Sequence, residues 1–358
     1  MTAEGLHSAL SGAFERAGVP YKRNLVGFAA DGASVMMGSR HSVMALLKKE
    51  IPSLSVVCMC HSFHLCALYA CSKLPRVVQD LVRDVYSYFS SSPKRIDTLT
   101  KFQAFLELKP HKLLHSAQTR WLSLLTAVDR FLEQYDALEM YFATAASTER
   151  LLASEKIHKG LQDPLKKLFL MFLSFVLPLF NLNKQMQSND PQLHKLSKNA
   201  EACVRTFMDC YPKRSCTQGL DVAKVEFKNR ECFVPLEDTY IGGQATAFLS
   251  SRQSSITAEQ CQLFRLRCLD FYIESVDQMQ KRVPFQESVP KHFELLDPAA
   301  CMNGSAPSIA SISKLVAGNA LQDLDNEWRY LRNTEIPTVK DPSLQEFRAT
   351  VFAQKHWG

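Results

Sequence analysis

The chain has 358 residues, of which 46% are hydrophobic and 22% charged, with a formal net charge of +6. Such a composition is ordinary for a soluble globular protein with room for two domains or one large one. It excludes an apolar membrane-spanning segment, because no uninterrupted run of about 18 apolar residues occurs. It also excludes a concentrated basic arm: the Lys and Arg residues are spread along the chain, which permits nucleic-acid binding without establishing it.

The N-terminal residues Met1-Thr2-Ala3-Glu4-Gly5-Leu6-His7 lack the basic and apolar regions of a secretory signal. Eleven cysteines, an odd number, in a chain without that signal read as reduced thiols in an intracellular compartment.

In chain order, Leu6, Leu10 and Phe14 predict a helix over 4–17, stopped by Gly18-Val19-Pro20. Leu25–Ala30 predicts a short buried strand, Ser42–Glu50 a helix, Ser55–Met59 a second strand, and His61–Leu74 a helix ended by Pro75. This alternation indicates an α/β unit, although two strands cannot close a core alone. From residue 76 the pattern turns helical. Val77, Leu81, Val85, Tyr88 and Phe89 form one stripe; Trp121, Leu124, Leu125, Val128, Leu132 and Tyr135 form another, continued by Leu138 and Phe142. Residues 161–187, 193–210 and 258–280 repeat that character, and Leu168–Leu182, with Pro178 inside it, reads as a buried core helix. Residues 211–257 read as an irregular excursion, 297–313 as a linker, and Ala320–Arg332 as a last helix.

Three motifs carry possible chemistry. In Val26-Gly27-Phe28-Ala29-Ala30-Asp31-Gly32-Ala33-Ser34, Asp31 follows an apolar strand, as a metal-binding acid does; its plainer reading is a cap on the following turn. A two-metal nuclease needs several carboxylates, and Asp31 is one. In Cys58-Met59-Cys60-His61-Ser62-Phe63-His64, the pair Cys58 and His61 invites zinc, but no second pair follows at finger spacing, and Cys66 and Cys71 fit no finger. The plainer reading makes Cys58 a core residue and His61 a hydrogen-bonded helix-start residue. In Gln118-Thr119-Arg120-Trp121-Leu122-Ser123, Trp121 can stack on an extruded base while Arg120 meets phosphate; the commoner reading of such a residue taken alone is an anchor of its helix to the core. The acid-rich Leu324–Leu331 is explained by an amphipathic helix. Phosphate-cradling glycine loops, a Gly-x-Ser-x-Gly elbow and His-Glu-x-x-His are absent from the sequence.

The Asp-Gly-Ala-Ser, Cys-x-x-His and Thr-Arg-Trp motifs, in this order, resemble the hAT superfamily of DNA transposases, and in particular host proteins derived from them. The resemblance covers about residues 20–142 and continues more faintly, by helical character, to about 332. It implies an RNase H-like core interrupted by a large helical insertion, with Cys58 and His61 in the core near the catalytic face and Arg120-Trp121 near DNA. His64 stands where the family often has Asn. Of the family's three acids only Asp31 maps: no strand ending in an acid lies upstream of it, and no Glu-Arg-x-Phe-Ser-like signature follows. The family's N-terminal zinc finger and C-terminal dimerisation region are likewise without a match.

The expected fold class is therefore mixed α/β, mostly α: an incomplete RNase H-like unit over 1–75, an all-α insertion-type domain over 76–296, and a linker with a C-terminal helix over 297–358. The expected function is that of a catalytically inactive transposase-derived protein, with Asp31 vestigial. It acts through protein–protein or residual DNA contacts in transcription or chromatin contexts. The alternatives are an active metal-dependent transposase or nuclease, which alone needs Mg²⁺, and a zinc-binding interaction module. DNA-binding candidates are Arg120, Trp121, Lys112 and His115, with His111 nearby. DNA is the candidate partner, no membrane is expected, no cofactor is assigned, protein partners and oligomeric state are open, and the nucleus or cytoplasm is the expected location.

Overall fold

The computed structural model describes residues 2–56, 59–115, 121–149, 151–180, 193–251, 255–283, 285, 293–298, 301, 308–312, 321–333 and 344–353. Within them the chain is mostly helical. It divides into two compact units: Met1–Ser62, Leu182–Ala202 and Gln280–Gly358 form unit 1, and Phe63–Asn181 with Cys203–Met279 form unit 2.

Unit 1 begins with α1 (Ala3–Arg16), capped by the Thr2 hydroxyl, which accepts the Gly5 N–H at 3.2 Å. The helix ends where the sequence stops it, with Gly18 at φ +65°. A short α2 (Tyr21–Asn24) follows, then β1 (Gly27–Phe28), α3 (Ser34–Met37), α4 (Val43–Glu50) and β2 (Ser55–Val56). Ser42 caps α4, its hydroxyl accepting the Ala45 N–H at 3.0 Å. Leu6, Leu10 and Phe14 of α1 pack on a small cluster of Tyr21, Val43, Leu47, Ile51 and Leu54.

The strands differ from expectation. The predicted run Leu25–Ala30 contributes a two-residue strand, paired in parallel with β2 in the register Gly27↔Ser55 and Phe28↔Val56. It is not buried: Val26 and Gly27 are exposed and Phe28 is half-buried. The reason is local competition. Tyr21–Asn24 closes a helical turn immediately before the run, and Ala33 opens another soon after it, so few residues are left to extend.

The second part of unit 1 surrounds another cluster: Cys301, Ile309, Ile312, Trp328 and Phe347. Trp328 lies on α15 (Leu321–Arg332) and Phe347 on α16 (Leu344–Ala353). The stretch expected as a linker thus supplies Ile309 and Ile312 to a core. Asp325 pins it there, its Oδ1 accepting the Ser308 hydroxyl at 2.6 Å and the Ile309 N–H at 3.0 Å. Glu327 faces solvent, as an amphipathic helix requires.

The helix α5 (Met59–Cys71) starts in unit 1 and continues into unit 2. Unit 2 contains α6 (Arg76–Ser90), α7 (Pro93–Phe105), α8 (Trp121–Glu133), α9 (Tyr135–Thr148), α10 (Leu152–Leu161) and α11 (Pro164–Val176). It also holds the C-terminal half of α12 (Leu196–Met208), then α13 (Gly243–Ser250) and most of α14 (Ala258–Arg282). Val78, Leu81, Val82, Val85, Tyr88 and Phe89 form the buried stripe of α6; Val77, placed on that stripe by spacing, is exposed. The single stripe expected over 121–142 is broken at Gln134, which separates α8 from α9. On α11 and its 3₁₀ continuation, Leu168, Phe169, Leu170, Phe172, Leu173, Val176, Leu177 and Phe180 are buried, as a core helix requires. Phe172 meets Phe264, Phe271 and Tyr272 of α14 edge to face, at centroid distances of 6.1, 5.4 and 5.6 Å.

The excursion after α12 is irregular through residue 241, with short 3₁₀ turns, but ends in α13. Gly242 is required at its start: φ is +89°, and a Cβ there would strike the Phe175 ring of α11. Among the described residues no helix is long and apolar enough to cross a membrane.

Candidate functional site

Two constellations hold the residues singled out by sequence. The first lies at the carboxyl ends of β1 and β2, where open α/β folds commonly bind ligands. β1 leads to the Asp31-Gly32 turn and β2 leads to α5, whose first turn carries His61. The two meet: a Cβ on Gly32 would run into the His61 imidazole, so Gly32 is needed for close approach rather than for its backbone angle. Asp31 is exposed, and its Oδ1 accepts the Ala33 N–H at 3.3 Å. That is the turn-capping role of an aspartate. His61 is half-buried; Cys58 lies outside the described residues.

Further along α5, His64 is half-buried while Cys66 and Cys71 are buried. Burial pushes the Cys71 thiol up to about 12 and keeps it protonated. The described cysteines are free thiols. Among the described residues, no group of three or more His, Cys, Asp or Glu side chains gathers closely enough to hold a metal ion.

The second constellation is the loop 106–115 between α7 and α8, in unit 2. Loop position is set from beneath by two buried glutamines. Gln103 of α7 donates to Gln134 Oε1 at 2.9 Å and to the His111 carbonyl at 3.2 Å, and Gln134 donates to the Lys109 carbonyl at 3.3 Å. The backbone turns out of α7 through Glu107 at φ +55°, a left-handed conformation that costs a non-glycine residue about 1–2 kcal/mol. His111 Nδ1 lies 2.7 Å from Glu133 Oε1, and Arg130 Nε holds the other oxygen of Glu133 at 2.9 Å.

This clamp leaves Lys109, Lys112 and His115 exposed. The His115 ring sits edge-on to Tyr86 of α6, with centroids 5.0 Å apart. Beside the loop is an open cavity of about 310 Å³, walled by Tyr86, Phe89, Ile96, Leu99, Gln103, His111, Lys112 and Leu113. A tethered loop with exposed cations can neutralise phosphates, and an adjoining aromatic can meet a flat ring.

The structure therefore brings Lys112, His111 and His115 onto one loop, and Asp31 and His61 onto one turn. Arg120 lies outside the described residues; Trp121 opens α8, but its side chain is likewise outside them. Sequence reasoning missed Gln103, Gln134 and Tyr86. Gln134 did leave a signal, because it interrupts an apolar stripe; Gln103 and Tyr86 left none. No family model matches this chain, and no solved structure matches it.

Proposed function

We propose that this chain is a catalytically inactive protein derived from a hAT DNA transposase, and that it works in the nucleus through contacts of its helical unit with DNA or protein, in transcription or chromatin contexts. The observation that carries the DNA part is the clamped basic loop. Gln103 and Gln134 hold a loop whose Lys109, Lys112 and His115 face solvent, and that loop leads along the chain to Arg120-Trp121. Holding cations in place lowers the entropy lost when they meet phosphates. The inactive part is supported by the use of the Asp31 carboxylate as a turn cap.

Fluorescence anisotropy with hairpin and plain duplex DNA over a salt series tests this proposal. Expected is saturable binding that weakens with salt by about 0.9 log units per log unit for each phosphate neutralised. Lys112→Ala should lower that slope by about one and weaken both DNAs alike. Trp121→Ala should lose the hairpin preference, at a cost of about 1–3 kcal/mol for one stacked base. Absence of binding at low salt overturns the DNA part. Mg²⁺-dependent cleavage that Asp31→Asn abolishes overturns the inactive part.

A further inference from the structure

The excursion of unit 2 brings two partly exposed cysteines together. Pro212 and Phe233 form an isolated antiparallel bridge, and the Lys213 N–H donates to the Cys232 carbonyl at 2.7 Å. From Lys213 the chain makes one 3₁₀ turn, Arg214–Cys216, in which the Cys216 N–H returns to the Lys213 carbonyl at 2.9 Å. Cys216 is thus folded back onto the residue that Cys232 pairs with. The neighbouring Cys216 thiol raises the Cys232 pKa. Both are half-exposed free thiols.

We infer that Cys216 and Cys232 form a redox-modifiable pair that reacts with oxidised glutathione, or a similar small disulfide, and closes into an intrachain disulfide. Thiolate nucleophilicity and access set which thiols react. Cys71, Cys203 and Cys268 are buried, with pKa values raised by that burial, so a small disulfide in solvent reaches them poorly. Both thiols are half-exposed, so either can attack first with the same product. The Cys216 thiol gives up its proton to solvent and its sulfur attacks one sulfur of oxidised glutathione. That forms a mixed disulfide and expels one glutathione thiolate. Cys232 then loses its proton and attacks the Cys216 sulfur, expelling the second glutathione thiolate. Two protein thiols are oxidised and one glutathione disulfide is reduced to two glutathiones, which take up the two protons.

The closed bond would tie together both ends of the segment 217–231. At present that segment is held at Tyr211, whose hydroxyl donates to the Phe227 carbonyl at 3.2 Å, and at Lys228, 2.7 Å from Asp277. Cross-linking a loop restricts the unfolded chain, so the oxidised protein should be the more stable form.

The test treats the purified full chain with oxidised glutathione, blocks remaining thiols with an alkylating reagent, and maps the digest by mass spectrometry without reduction. Expected is one dominant cross-linked peptide pair joining Cys216 and Cys232, two hydrogens lighter than the sum of its parts and lost on treatment with dithiothreitol. The thermal midpoint should rise by on the order of 5 °C. Cys232→Ser should stop at a glutathione adduct on Cys216 and lose that rise. Cross-links dominated by other cysteines, adducts that never close in the parent chain, or no reaction would each overturn the inference, and the parent-chain map decides it even if a variant folds poorly.

Discussion

The opening segment of unit 1 and the helices of unit 2 are both apolar, yet they end differently. Residues 25–56 yield two strands of two residues and a cluster of modest size, with Val26 exposed. Unit 2 yields long helices around a dense aromatic core in which Phe142, Phe172, Phe207, Phe264 and Phe271 are fully buried. The difference lies in where backbone hydrogen bonds are made. A helix satisfies its own N–H and C=O groups, so an amphipathic stretch needs only something to pack on. A strand needs neighbours, and among the described residues this parallel pair has no third strand beside it, so little holds it.

Phe172→Ala should give the largest effect that sharpens this contrast. It removes the ring that meets Phe264, Phe271 and Tyr272 and should destabilise unit 2 by about 3–5 kcal/mol. In a urea titration, the transition reported by residues of unit 2 should move while that of unit 1 stays. Equal movement of both would break the comparison and make the chain one cooperative body.

Gln103→Leu should cost less, about 1–3 kcal/mol, because it leaves the buried Gln134 Oε1 without its donor. Amide exchange over 106–115 should quicken, since the His111 carbonyl loses its donor. Stability loss without faster exchange in the loop would mean that Gln134 and the Glu133 pair position it unaided.

Glu50 in unit 1 should give the smallest effect. The Tyr21 hydroxyl donates to Glu50 Oε2 at 2.6 Å and, with Lys22 and His7, holds its carboxyl below the ordinary value of 4.5. A carboxylate with a depressed folded pKa adds stability above the unfolded value, and that stability is lost as pH falls through the folded one. Acid titration of unit 1 should therefore show a stability loss beginning below about pH 4.5 that Tyr21→Phe reduces. An unchanged acid limb would show that Lys22 and His7 suffice.

Much of the helical architecture was legible. The spacing of Leu6, Leu10 and Phe14, the run from Leu168, and residues 258–280 all mark helices that the structure contains, because the 3.6-residue repeat is a local property. The strands were less legible, since an apolar run of six residues says nothing about whether partners exist to extend it. Segment 297–313 read as a linker from its Ser, Gly and Pro content, and composition hides that Ile309 and Ile312 find Trp328. Of the candidate site, Asp31 as a turn cap follows from side-chain type and turn position, whereas the loop that exposes Lys112 and His115 shows only in the structure.

The sequence by itself determined the predominance of helix, the order of the long helices and the turn at Asp31. Only the tertiary structure decided that Gln103 and Gln134 clamp the basic loop, that Gly32 makes room for His61, and that Lys213 bridges the backbones of Cys216 and Cys232. Each of these joins residues from different elements. Helix periodicity and turn chemistry act over three or four residues, whereas a contact across separate elements depends on how those elements pack.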